Sequence, residues 1–226
     1  MNFLVKGFKI LLLIILYDID NVRSSTELYI TNNAPSMLDS NVTFTAILHN
    51  YESKDQLMYV FDDGILKKEY KTVSHNVSMN RSFPSSLYKA DFYSMNVSVL
   101  TETFFFDKTV ASNFSRFELK KDLIGEISVY RDGQSSVDVD EVAVGENVSL
   151  VLNLVDHSNF FQKAAIDYSW SIDFEKQQTL NNTLIYNFTE AGSKNIKAFV
   201  TAVFPNNDFR YGFFERTITA KGEFKN

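Results

Sequence analysis

The 226-residue chain has no cysteine, which removes disulfide staples, thiolate nucleophiles and Cys-ligated zinc from consideration. Its three histidines, His49, His75 and His157, stand in separate segments without a His-Glu-x-x-His or comparable spacing, so they give little for a metal site. Eight glycines are too few and scattered for a phosphate loop, and no Gly-x-Ser-x-Gly elbow occurs. Catalysis is therefore not expected: no catalytic residue, metal ligand or cofactor is nominated. The net charge is −6 and the pI near 5.1, with no clustered Lys/Arg surface. Neutralising several phosphates needs such a cluster, so nucleic acid is not an expected partner. Long apolar runs are also missing. The longest clear one, Ile10 to Tyr17, falls short of the roughly 20 residues that span a bilayer.

What is present points outward from the cell. Lys6 and Lys9 precede that apolar run, and uncharged Val22 and Ser24 follow it, the order of a secretory signal. Cleavage after Ser24 is expected, with an uncleaved anchor as the alternative. Asn-x-Ser/Thr occurs at Asn41, Asn76, Asn80, Asn96, Asn113, Asn147, Asn181 and Asn187, where the composition would give roughly three by chance. Behind a signal segment this excess predicts a glycosylated protein of the secretory pathway, extracellular or lumenal, and each sequon then demands an exposed asparagine.

Without disulfides, a domain of about 100 residues must depend on its core. Twenty-one Phe and eleven Tyr supply large apolar area per side chain. Helical periodicity is hard to find after the signal, whereas short alternating runs rich in β-branched and aromatic residues recur, which predicts an all-β chain. Val148, Leu150, Leu152 and Leu154 fall on one face of a strand, and Ile196, Ala198, Val200, Ala202 and Phe204 on one face of another, opposite Lys197, Phe199 and Thr201. Tyr168, Trp170 and Ile172 share a face. Tyr168 and Trp170 are therefore expected core anchors, with a ligand-stacking Trp as the alternative.

The first half repeats the second. Asn41–Leu48 parallels Asn147–Leu154, Tyr59–Asp62 parallels Trp170–Asp173, and the run from Asn96 parallels the strand ending at Phe204. Three matched segments in one order indicate a tandem repeat. The expected organisation is a signal segment over 1–24 and two immunoglobulin-like β-sandwiches over 25–122 and 123–226.

Tyr168-Ser169-Trp170-Ser171-Ile172-Asp173-Phe174 and Tyr186-Asn187-Phe188-Thr189-Glu190-Ala191-Gly192 resemble the two motif stretches of polycystic-kidney-disease (PKD) domains. The Gly-Asp-Gly turn of that family is missing after Asp173, while Asp62-Asp63-Gly64 keeps something closer to it. Thr31–Pro35 followed by Asn41–Phe44 is similar to the segment before the PKD domain in the melanocyte-protein and osteoactivin group and in transmembrane protein 130. The resemblance implies a non-catalytic binding or adhesion module of a type I membrane glycoprotein, or a secreted form of it, with a protein or glycan partner. An accessory carbohydrate-binding sandwich is the alternative. Residues 221–226 offer no second apolar run, so membrane attachment is expected only if an anchor lies beyond this sequence.

Two further features invite weighing. Asp138, Asp140 and Glu141 could hold calcium, against a solvated loop; Asp62 and Asp63 could do likewise, against a tight turn. Phe104–Phe106, Phe160-Phe161 and Phe213-Phe214 are contiguous, so alternation leaves some rings off the inner face. Those rings serve either packing between the two sandwiches or an exposed patch for a partner or self-association.

Overall fold

A computed structural model describes residues 25–102, 107–131, 138–177, 179, 181–205 and 208–222. The expected signal segment and Phe104–Phe106 lie outside them. The chain is all-β: sixteen strands and one 3-10 turn (Phe160–Lys163) make up the regular structure of the described residues.

The first eight strands are β1 (Glu27–Asn32), β2 (Ser36–Met37), β3 (Asn41–His49), β4 (Leu57–Asp62), β5 (Lys67–Thr72), β6 (Asn76–Ser82), β7 (Asp91–Glu102) and β8 (Asp107–Lys120). They form a three-stranded sheet, β1-β3-β6, and a five-stranded sheet, β2-β8-β7-β4-β5. The second eight are β9 (Gly125–Arg131), β10 (Glu141–Ala143), β11 (Asn147–Leu154), β12 (Ala165–Ile172), β13 (Glu175–Gln177), β14 (Thr183–Asn187), β15 (Gly192–Val203) and β16 (Phe209–Lys221). Their sheets run β14-β11-β9 and β10-β16-β15-β12-β13. Adding eight to each strand number converts the first pair of sheets into the second. The short parallel pairs repeat as well, β2 with β8 and β10 with β16. This is the Greek-key sandwich arrangement of an immunoglobulin-like fold, present twice in sequence order.

By compactness the described residues divide differently, into two units. One takes residues up to Thr31 with Thr45–Ser78 and Ser94–Ser115; the other takes Asn32–Phe44, Met79–Tyr93 and everything from Arg116. In the first unit Leu48, Tyr59, Phe61, Val97 and Val99 are fully or almost fully buried. Burial pushes the Tyr59 phenol up to about 12, and its hydroxyl donates to the Ser74 carbonyl at 3.2 Å.

The second unit holds the larger core, in which Val129, Leu150, Trp170, Ile196, Ala198 and Val200 have no exposed surface. The packing follows from size. Trp170 and Phe214 both pair with Ala198 across the ladders, so a methyl group sits between two large rings. Trp170 Nε1 donates to the Asn181 carbonyl at 3.0 Å, which satisfies a polar atom that burial would otherwise penalise. Tyr168 is half-buried, with its phenol raised by burial. Gly212 is required by close approach: a Cβ there would lie 2.7 Å from the Phe214 ring and 2.9 Å from Leu123 Cβ.

The turn after Asp173 replaces glycine with strain. Ile172 pairs with Glu175, leaving a two-residue loop of Asp173 (φ 48) and Phe174 (φ 74), the left-handed pair of a type I′ hairpin. Asp173 Oδ1 accepts the Asn195 N–H at 2.8 Å and Oδ2 meets Lys194 Nζ at 3.2 Å, which ties the turn to β15. Phe174 has no such anchor and is 86% exposed in a conformation unfavourable for an aromatic residue. In the first half, Gly64 (φ 85) supplies the freedom, and the Asp62 and Asp63 carboxylates accept the turn's own backbone N–H groups. Phe174→Gly is predicted to stabilise the fold by up to about 1 kcal/mol, since relief of the left-handed strain exceeds the added chain entropy of glycine. A thermal melt checks this, and a lower melting temperature would mean that the ring supports the fold.

Candidate functional site

All eight sequon asparagines lie within the described residues, and all eight are exposed. Seven are on strands, where alternation turns them outward: Asn41 on β3, Asn76 and Asn80 on β6, Asn96 on β7, Asn113 on β8, Asn147 on β11 and Asn187 on β14. Asn181 sits in the loop before β14. Several bond to polar neighbours on their own sheet. Thr43 Oγ1 bonds Asn80 Oδ1, and the Ser78 and Thr45 hydroxyls meet at 2.9 Å. Asn147 and Asn187 are directly paired, and Asn187 Nδ2 donates to the Gly145 carbonyl at 2.8 Å and to Asn147 Oδ1 at 3.2 Å.

The acidic cluster is an ion-pair network. Arg216 reaches Asp138 through Nη1 and Asp140 through Nη2, each at 2.7 Å, and Nη1 also donates to the Ile127 carbonyl. Glu141 pairs with Lys221. Partial burial pushes the Asp138 carboxyl up, but hydrogen bonds from Arg216 and the Val129 N–H, with the guanidinium charge, hold it below the ordinary carboxylate value. Burial lowers Arg216 in turn, and its two carboxylate partners more than reverse that. With both carboxylates facing a cation, the cluster is built to fix the β10–β16 edge rather than to offer free oxygen ligands. The histidines are placed separately, His49 against Tyr29 and His75 against Tyr51, each edge to face.

A buried cation, Arg210, carried no sequence signal. Arg210, 6% exposed, donates to Asp208, to Asp39 and to the Lys121 carbonyl, all within the second unit. It borders a cleft of about 980 Å³ in the same unit, beside Phe160 and Phe204. Phe160 is half-buried against Phe204, with ring centroids 5.0 Å apart, and Phe161 is buried in the core. Neither therefore forms an exposed patch, and Phe160-Phe161 is internal packing.

Phe213-Phe214 divides. Phe214 points inward, while Phe213 is 59% exposed on the outer face of the β10-β16-β15-β12-β13 sheet. There Phe213 is the ladder partner of Phe199, Tyr211 of Thr201 and Phe209 of Val203. Lys197 Nζ lies 5.3 Å from the Phe174 ring centroid and 5.7 Å from that of Phe213, joining the strained turn to the aromatic strip. No sequon falls on β12, β15 or β16, whereas β7, the counterpart of β15, carries Asn96. No protein-family model matches this chain, and no curated protein is significantly similar to it.

The Asp138–Arg216 pair makes acid stability testable. The folded carboxyl titrates below its unfolded value, so the stabilisation is complete above about pH 4 and is lost as pH falls through the folded value. The melting temperature of the wild type should therefore drop more steeply below pH 4 than that of Arg216→Met. Parallel curves would show that the network contributes nothing to stability.

Proposed function

We propose that this chain is a non-catalytic, glycosylated PKD-type binding or adhesion module of the secretory pathway, either the ectodomain of a type I membrane glycoprotein or a secreted form of one. The observation that carries this reading is the division of its surface. Eight sequon asparagines are exposed, and one sheet face that lacks them displays aromatic rings. N-linked sugar needs an accessible asparagine in a compartment that transfers it, and bulky glycans keep neighbouring surface free of contacts. The bare face then remains for a partner.

An accessory carbohydrate-binding module is the second reading, supported by the exposure of Tyr211 and its neighbouring rings, which could stack on sugar. A glycan array separates the two: strong, ring-dependent saccharide binding favours the second.

Among the described residues no helix is long and apolar enough to cross a membrane. Fractionating the endogenous protein between medium and membranes, then weighing it before and after enzymatic N-glycan removal, tests the proposal. The expected result is recovery in one of those two fractions with a clear drop in mass on deglycosylation. Recovery from cytosol at an unchanged mass would defeat it. The medium at the mass of residues 25–226 would assign a secreted form, and membranes at a larger mass an anchored one.

A further inference from the structure

We infer that the outer face of β12, β15 and β16 is a self-association surface that pairs with the same face of a second copy of this chain. The inference rests on the binding-module reading above and names its partner.

Four properties of the face argue for it. The first is area. Phe174, Phe199, Phe209, Tyr211 and Phe213 are 86, 47, 60, 45 and 59% exposed. At about 200 Å² for a fully exposed ring side chain, they present roughly 600 Å², at the upper end for the largest apolar patch on a monomer. That is about three-quarters of the roughly 800 Å² that each partner contributes to a standard stable interface, before any rim residue is counted.

The second property is chemistry. Four of the five rings are Phe, which neither donate nor accept hydrogen bonds, so the strip is matched by another apolar surface better than by the hydroxyls of a sugar. An identical Phe-rich strip meets that requirement, because an isologous contact sets the same residues against each other.

The third is charge. A self-interface presents every charge twice, so net charge on it is repulsive. On this chain of net charge −6, the face carries Lys197 and Glu215, which pair at 3.4 Å, and one further carboxylate, Asp167, on β12 as the ladder partner of Thr201. Between β15 and β16 the paired residues Phe199 and Phe213, Thr201 and Tyr211, and Val203 and Phe209 are all uncharged, so the lone Asp167 is the charge an isologous contact must accommodate.

The fourth is retained strain. Phe174 holds φ 74 without a buried contact to compensate for it, and Lys197 bridges it to Phe213. An exposed ring kept in a costly conformation at the end of an aromatic strip enlarges the contact area and does nothing for the monomer's core.

The sequence permits a direct test. Phe199→Asn creates a sequon with Val200 and Thr201, which would mount a glycan in the middle of the face without touching the core. Phe213→Asp places a carboxylate there twice in any isologous pair. The secreted glycoprotein and both variants are to be compared by sedimentation equilibrium from about 0.1 to 100 µM, with thermal melts alongside. The wild type should pass from monomer to dimer mass across that range. The dimer dissociation constant should rise at least about tenfold in Phe213→Asp, with its melting temperature measured at a concentration where both are monomeric kept within about 2 °C. Phe199→Asn, if it gains the glycan mass, should stay monomeric throughout.

A wild type that is secreted and glycosylated yet monomeric at the highest concentration overturns the pairing and leaves the module reading intact. A dimer that survives Phe213→Asp unchanged also overturns it, by placing the contact elsewhere. If the monomeric wild type instead binds saccharides through these rings, the face belongs to a glycan. A chain found unglycosylated in the cytosol defeats the underlying reading, whatever its mass in solution.

Discussion

Twelve consecutive residue pairs join β15 to β16, from Gly192↔Ala220 to Val203↔Phe209, and that register decides which side chains the second sheet hides. Side chains alternate, so a slip of one residue would exchange the two faces. The inner set, Ile196, Ala198, Val200 and Ala202, is fully buried against Trp170, Val129 and Leu150. At about 25 cal/mol per Å² of apolar surface, moving such a set into water costs far more than any surface contact could return. Burial of the inner set therefore compels the outward display of Phe199, Tyr211 and Phe213. The exposed aromatic face is the other side of a ladder whose register the core fixes.

The polar devices around this sheet serve the same register. Asp173 ties the β12–β13 turn to the Asn195 amide and to Lys194. Arg216 gathers Asp138, Asp140 and two backbone carbonyls along the β16 edge, where β10 covers only the last three residues of the strand. Arg210, buried on the inner side, finds two carboxylates and a carbonyl. A guanidinium has five N–H donors and loses much hydration on burial, so a satisfied network of this kind is what keeps it inside. The Arg216 network uses Asp138 and Asp140, carboxylates that sequence inspection alone offers as calcium ligands.

Much of the fold was legible because it rests on period-two alternation and on repetition. The inner sets of β11, β12 and β15 are those that the alternation specifies, and the three matched segments Asn41–Leu48, Tyr59–Asp62 and Asn96 onward fall on β3, β4 and β7, the counterparts of β11, β12 and β15. The sequons were equally plain, since their positions are local motifs. What stayed illegible depends on register or on distant partners. Nothing local distinguishes the outward Phe213 from the buried Phe161, because doublets break the alternation. Arg216 is 78 residues from Asp138, and Arg210 is 171 from Asp39. That Phe174 occupies a left-handed position was hidden by the absence of the glycine that usually announces such a turn.

One register buries Trp170 and its neighbours and leaves an aromatic face free of sequons, the face proposed to meet a second copy. Hydroxyl-radical footprinting of the glycosylated protein, read ring by ring at low and high concentration, tests both halves at once. Trp170 and Phe44, both fully buried, should stay unlabelled throughout, whereas Phe199, Tyr211 and Phe213 should label readily when dilute and become protected as concentration rises, with Phe114, exposed on β8, unchanged. Heavy labelling of Trp170 would contradict the fold, and labelling of the three outer rings that ignores concentration would contradict the role given to their face.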